Sequence, residues 1–472
     1  MNRRSLSMGF AIAMAALARS AFAADSSAAL TANRAREIAT EAADSIDRMY
    51  VSPDVGRKIA ESLRARSAAG DYDTADSPSR LAELLSRDLQ EVGNDRHLSV
   101  RVDHSGSGGS VIRRIDRGPA PAGAHGAGGT GPPLRIRREG PAATGSSDLK
   151  RRTNFGFRAV ERLDGNVGLV DIREFVPLGL SRETAAAAMA FLSTSDAIVV
   201  DLRECPGGAP DVVSFLASYF FGPERKELFS RYDRPMDEKT TEYTVENLPG
   251  RRMPDTDLWI LVGPNTASAG ESFAYLLQQF GRATVVGEKT AGAGHNNVML
   301  PIGEGLVLSV SVARPIHPRT GKGWEGTGVQ PDIRTSSADA RDTAHAAALH
   351  KLLDRAADPR LRRELAWAVE RVESRGRALQ SEAELQAYAG RYGERQVTVE
   401  NGRLVCRTAS GRARALISVA ADAFSWDELT RATFERDRTG RPARLLLESA
   451  DGGSEIFARD DSPRIGAQKE TQ

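Results

Sequence analysis

Cysteine and histidine are scarce in this 472-residue chain, which holds two of the first and seven of the second. No CxxC, HExxH or EF-hand loop occurs, so the sequence offers no metal site and calls for no cofactor. The two thiols, Cys205 and Cys406, fall in segments read below as different domains and are expected to stay unpaired. A surplus of charge is missing too. Lys and Arg total 64 against 63 Asp and Glu, which leaves no basic footprint for nucleic acid and no acidic tail. No apolar run reaches the roughly 20 residues that span a bilayer, so no integral membrane segment is expected. What is present is bulk. With 40% hydrophobic and 27% charged residues the chain can bury a sizeable core; at ~150 residues per domain its length suggests about three, and it is not a disordered, collagen-like or coiled-coil sequence.

The N-terminus reads as a processing segment. Arg3 and Arg4 precede the apolar run from Met8 to Leu17, and Ala21-Phe22-Ala23 supplies the small-x-small pattern of a cleavage site. Residues 1–23 are therefore expected to be a signal peptide, and the mature protein to be periplasmic or secreted. Losing Arg3, Arg4 and Arg19 takes the formal charge from +1 to −2.

Residues 28–103 show apolar positions at three- and four-residue spacings and predict a helical N-terminal domain. Over 104–150 the composition collapses into Gly, Pro, Ala, Ser and Arg, which predicts a linker or loop. From 151 to 336 strands and helices alternate. FGFRAVERL and NVGLVDIREF pair around Asp164-Gly165, and SRETAAAAMAFLST follows as a helix capped by Ser181. AIVVDL, DLWILVG and ATVVG are short, nearly continuous apolar strands separated by helices, which predicts a mostly parallel sheet covered on both faces. A helical connector is expected over 337–380, with His345 and His350 on solvated faces, and a small antiparallel β domain over 381–460 with an Asn401-Gly402 hairpin turn.

Two loops of the αβ segment carry candidate chemistry. Ser268 follows an apolar strand and opens a helix, where N–H groups are aimed at any developing oxyanion. Ser268-Ala-Gly-Glu271 is equally a capping box, in which the hydroxyl merely satisfies the helix end. Gly207 and Gly208, after Cys205-Pro206, free the backbone to expose N–H groups, although Pro-Gly-Gly turns are common without function.

VDLRECPGG, GPNTASAGE, VVGEKTAGAGH and WEGTGVQPDI, in that order, resemble the C-terminal-processing (tail-specific) serine peptidase family. NDRHLSV and the paired strands upstream are similar to the branch typified by interphotoreceptor retinoid-binding protein and the tricorn protease core. The resemblance implies a crotonase-like (ClpP-like) α/β core, with Ser268 as nucleophile, His97 as general base and Glu325 as the acidic partner. It also implies an oxyanion hole made from the N–H of Ala269 and of Gly207 or Gly208. The family's other branch uses a Ser/Lys dyad, but Ala293 stands where its lysine would; Lys289, four residues early, and His295 are the alternative bases. No PDZ module is apparent. The implied activity is endopeptidase action on extended or unfolded polypeptides. The alternatives are an apolar-ligand-binding protein on the same fold, a Ser/Lys-dyad hydrolase, or an esterase.

Overall fold

The computed structural model describes residues 29–103, 114–117, 134–137, 144–377 and 380–460. The expected signal peptide lies outside them. The chain divides into two units, Met1–Ala142 with Tyr232–Lys239 and His295–Arg314, and Ala143–Arg231 with Thr240–Gly294 and Pro315–Gln472.

In the first unit the helices Ala32–Met49, Pro53–Ala69 and Pro78–Gly93 start where the sequence supplies caps. Thr31 and Ser77 accept backbone N–H bonds from Arg34 and Arg80, and Pro53 and Pro78 take first-turn positions that need no N–H. The helices are not self-sufficient. Ile38, Ile46, Leu85 and Leu89 share a core with Leu300, Leu308 and Val310. Those residues arrive some 200 positions later in sequence: strand Ser99–Val102 pairs antiparallel with Leu306–Ile316, which pairs in turn with Asn296–Pro301. The helices expected here thus pack with a sheet whose other strands come from distant sequence. Within the stretch expected as a linker, Arg114–Arg117 pairs antiparallel with Leu134–Arg137 and Thr144–Arg152 is helical, so this segment is not structureless throughout.

The second unit is built on a six-stranded sheet in the order Ile333–Arg334, Ala283–Gly287, Asp257–Val262, Ala197–Asp201, Val167–Ile172, Phe157–Leu163. All neighbours are parallel except the last pair. Alternation along each strand sends residues to opposite faces. Ile198, Val200, Leu258 and Ile260 pack with Met189, Val213 and Phe273 from the helices Leu178–Leu192, Pro210–Ser218 and Ala269–Gln279. Ala197, Val199, Trp259 and Leu261 pack with Ala344, Leu349, Leu365 and Ala368 from Ala340–Arg355 and Pro359–Glu373. The helices expected to be a connector are therefore the second cover of the sheet. This overturns one expectation: His345 is fully buried, its Nε2 2.9 Å from the Asp164 carbonyl. The helix at Leu178–Leu192 also begins before Ser181, whose hydroxyl donates to the Val176 carbonyl instead of capping.

The C-terminal segment is more than an antiparallel sheet. Eight strands, Gly390–Tyr392 to Ser454–Asp460, close into a barrel when Arg391 pairs with Asp460, which removes its exposed edges. Tyr388, Tyr392, Phe424 and Phe434 fill the interior ring against ring. Arg431 binds Glu370 at 2.8 Å and Arg363 donates to the Ala450 carbonyl at 3.1 Å, so the barrel is tied to the helix Pro359–Glu373.

Candidate active site

In the second unit, strand Asp257–Val262 ends in the loop that carries Ser268 onto helix Ala269–Gln279. Ser268 has φ 50 and ψ −117, a conformation an L-residue adopts only under constraint. A strained strand-to-helix turn of this kind is how a serine hydroxyl is lifted clear of its own backbone to serve as a nucleophile. Ser268 is half-buried at the N-terminus of the helix, whose first-turn N–H groups have no intrahelical acceptor.

The Pro206-Gly207-Gly208 turn lies against it. A Cβ on Gly207 would sit 2.8 Å from the Ser268 Cβ and 2.9 Å from the Ala269 nitrogen. Gly207 adopts φ 109 and Gly208 φ 134, both open to glycine and strained for other residues. The turn is pinned by Phe175, whose N–H donates to the Gly207 carbonyl at 2.8 Å and whose carbonyl accepts from Ala209 at 2.7 Å. Ala267 N–H donates to the Cys205 carbonyl at 3.1 Å, binding the two loops directly. Cys205 itself is buried and free, its thiol pushed up to about 12 by burial, so it packs and does not react.

Glu271, three residues after Ser268, is fully buried. Its carboxylate accepts from the N–H of Ser268 at 2.9 Å, Gly292 at 2.6 Å and Ala293 at 2.8 Å, and from the Thr290 hydroxyl. Burial raises its pKa, against the opposing pull of those donors. Glu325 lies next in this chain of contacts. Its Oε2 accepts from Gly294 N–H at 2.6 Å, and Trp324 Nε1 donates to the Ala293 carbonyl at 3.2 Å. Lys289 lines a groove with Glu288, Gln330, Arg334 and Ser336, and Ser268 is not among that groove's lining residues.

The two candidate bases among the histidines, His97 and His295, belong to the first unit. His97 follows the helix Pro78–Gly93 with its side chain 17% exposed, and its backbone N–H donates to Asp95 Oδ1 at 2.8 Å. Burial lowers its pKa, outweighing the nearby Asp95 charge, which keeps the imidazole neutral at physiological pH. His295 Nδ1 stands 2.8 Å from Asp95 Oδ2, and the Tyr50 hydroxyl donates to the same oxygen at 3.0 Å. Although burial pushes the Asp95 carboxyl up, the His295 bond and charge carry it below its ordinary value. Asp95, Tyr50 and Glu271 as a hub were not singled out in the sequence. The D-x-H spacing of Asp95-Arg96-His97 was the available signal for the first; the capping-box pattern announced the Glu271 bond to Ser268 but not its other three, and no pattern announces Tyr50.

Residues 166–335 match the model of peptidase family S41, and residues 18–120 match that of the N-terminal domain of Peptidase_S41 in eukaryotic IRBP. Among curated proteins, a "Probable CtpA-like serine protease" of Staphylococcus aureus is 27% identical over 188 residues, covering 39% of this chain and 37% of the relative. The Staphylococcus epidermidis protein of the same name is 26% identical over 192 residues, covering 40% and 38%. The chain thus spans little more than a third of the length of these relatives. Similar solved structures include the photosystem II D1 C-terminal processing protease, at 18% identity and TM-score 0.41 over 64% of this chain and 93% of that one. Mature CPAF complexed with lactacystin is similar at 16% identity and TM-score 0.44 over 68% and 97%. The stretch that carries Ser268, the Gly207-Gly208 turn and Glu325, residues 166–335, is a peptidase family S41 domain.

Proposed function

We propose that the chain is an exported serine-type endopeptidase that cleaves extended or unfolded polypeptides. The observation that carries this reading is the φ 50, ψ −117 conformation of Ser268 on a strand-to-helix turn, inside a segment matched to a peptidase family. A serine hydroxyl is a weak nucleophile at neutral pH and needs a base, which His97 supplies as a neutral imidazole. In the proposed cycle the Ser268 oxygen attacks the peptide carbonyl while His97 takes its proton. The tetrahedral oxyanion is held by the N–H of Ala269 and of Gly207 or Gly208. His97 then returns the proton to the leaving amine, and an acyl-enzyme remains. Water, deprotonated by His97, attacks the acyl carbon, the product acid leaves, and Ser268 recovers its proton. Glu325 orients the base and stabilises its imidazolium. The core is proposed to be crotonase-like.

A second reading of the base is favoured by a specific contact: the Asp95–His295 pair has the carboxylate-to-imidazole geometry that fixes a tautomer.

The test is labelling with a fluorophosphonate probe together with a casein digest, on wild type and Ser268→Ala. Labelling and cleavage that both disappear in Ser268→Ala support the reading. A wild type that neither labels nor cleaves removes it, and labelling that survives the substitution moves the nucleophile elsewhere.

A further inference from the structure

A capping box needs one bond from the third helical side chain to the N-cap N–H. Glu271 makes that bond to Ser268 and three more, all to Thr290, Gly292 and Ala293, about twenty residues further along the chain. A buried carboxylate is costly to desolvate, and an apolar residue of similar size would serve a plain helix end at lower cost. The donors explain the choice. Oε2 bridges Ser268 N–H and Ala293 N–H, Oε1 bridges Gly292 N–H and the Thr290 hydroxyl, and Thr290 also accepts from Val329 N–H at 2.7 Å. The next residue of that loop, Gly294, holds Glu325 through its N–H. A strained backbone such as that of Ser268 persists only where its surroundings over-determine it.

We propose that Glu271 is a positioning residue that locks the Ser268 turn to the Thr290–Gly294 loop, so that the nucleophile and the loop holding Glu325 keep one fixed relation. The proposal rests on reading Ser268 as the nucleophile. An amide at this position keeps one oxygen acceptor and turns the other site into a donor, facing either the N–H groups of Ser268 and Ala293 or the Gly292 N–H and the Thr290 hydroxyl. Glu271→Gln therefore supports one side of the lock and repels the other.

The experiment measures fluorophosphonate labelling of the full chain by rate and by final stoichiometry, together with peptide-resolved amide hydrogen exchange, for wild type, Glu271→Gln, Thr290→Val and Thr290→Ser. The expected result is a labelling rate lowered about tenfold or more in Glu271→Gln at unchanged stoichiometry. A smaller loss is expected in Thr290→Val, with recovery in Thr290→Ser. Exchange should quicken together in the peptides holding Ser268 and Gly292–Ala293. A lower stoichiometry at an unchanged rate would mean that Glu271 only supports folding and would overturn the proposal, as would unchanged rates and exchange. If Glu271→Gln does not fold, the two Thr290 variants decide by the same readouts. If wild type fails to label, the peptidase reading is lost, and exchange still decides the lock: coupled acceleration supports it and independent behaviour of the two segments refutes it.

Discussion

Asp95 gives its carboxylate to His295: Oδ2 lies 2.8 Å from the His295 Nδ1, whereas the nearer Asp95 oxygen is 3.9 Å from the His97 Nδ1. One histidine is thereby oriented by a carboxylate of its own unit, and the other is held neutral by burial. Their roles separate by mutation. Replacing a general base by alanine costs on the order of 10²–10⁴ in kcat/KM, and that loss is expected for His97→Ala on a peptide substrate. His295→Ala is expected to lose less, and Lys289→Ala little. A larger loss in His295→Ala would assign the base to His295. Because the His97 pKa is lowered from 6.5, the acid limb of the wild-type kcat/KM profile should fall below pH 6.5.

Ser268 holds its backbone at φ 50 and ψ −117, a conformation that costs energy for any L-residue. Glycine relieves a positive φ at no steric cost, whereas alanine keeps it. Both Ser268→Gly and Ser268→Ala should be inactive, but Ser268→Gly should be the more stable by about 1 kcal/mol in urea unfolding. Equal stability would argue that the turn is not strained.

The two glycines of the turn beside Ser268 should fail differently. A Cβ on Gly208 would stand 2.1 Å from the Phe175 carbonyl oxygen, a backbone atom that cannot swing away. Gly208→Ala is expected to lose several kcal/mol, at or beyond the ~4 kcal/mol that marks severe substitutions, and to give little folded protein by circular dichroism. On Gly207 the Cβ meets the Ser268 Cβ and the Ala269 nitrogen, so Gly207→Ala should retain more structure and lose fluorophosphonate labelling.

Local pattern made much of this molecule legible and distant pairing hid the rest. Asn401-Gly402 with period-two flanks reads as a hairpin, and Arg395–Glu400 does pair with Arg403–Arg407. The apolar run Ala197–Asp201 reads as a strand covered on both sides, and Ile198 and Val199 go to opposite cores. What covers the Val199 face was not legible, because Ala344 and Leu365 lie on helices whose polar composition reads as a connector. The sheet strands Asn296–Pro301 and Leu306–Ile316 were invisible as partners of the N-terminal helices, since no local signal specifies a contact across two hundred residues. At the site, Ser268 and the Gly207-Gly208 turn were recognisable by motif. The Glu271 hub was not, because three of its four bonds are to backbone N–H groups, which any sequence possesses.

The two thiols should be silent in the native protein. Cys205 and Cys406 are buried and free, with burial pushing them up to about 12 and about 11, so little thiolate is available. A disulfide-exchange reagent such as dithionitrobenzoate should titrate no thiol in buffer and both in denaturant. Fast reaction of either under native conditions would contradict the packing around it.

His317 should leave a signature in stability against pH. It is buried among Phe280, with ring centroids 4.6 Å apart, and Tyr275, and its Nδ1 accepts from Arg319 N–H at 3.2 Å. Burial first, and then the Arg319 charge, lower its pKa from 6.5 to about 4. Between those values the unfolded chain binds a proton that the folded one refuses, so the folded state loses stability as pH falls from about 6.5 towards about 4. His317→Asn keeps an acceptor for Arg319 and removes the titrating group. Its melting temperature should therefore fall less steeply than that of wild type across this window, while the two proteins run parallel above pH 7, where the imidazole is neutral in both states. Parallel curves throughout the acid range would mean that His317 takes up its proton in the folded state as readily as in the unfolded chain.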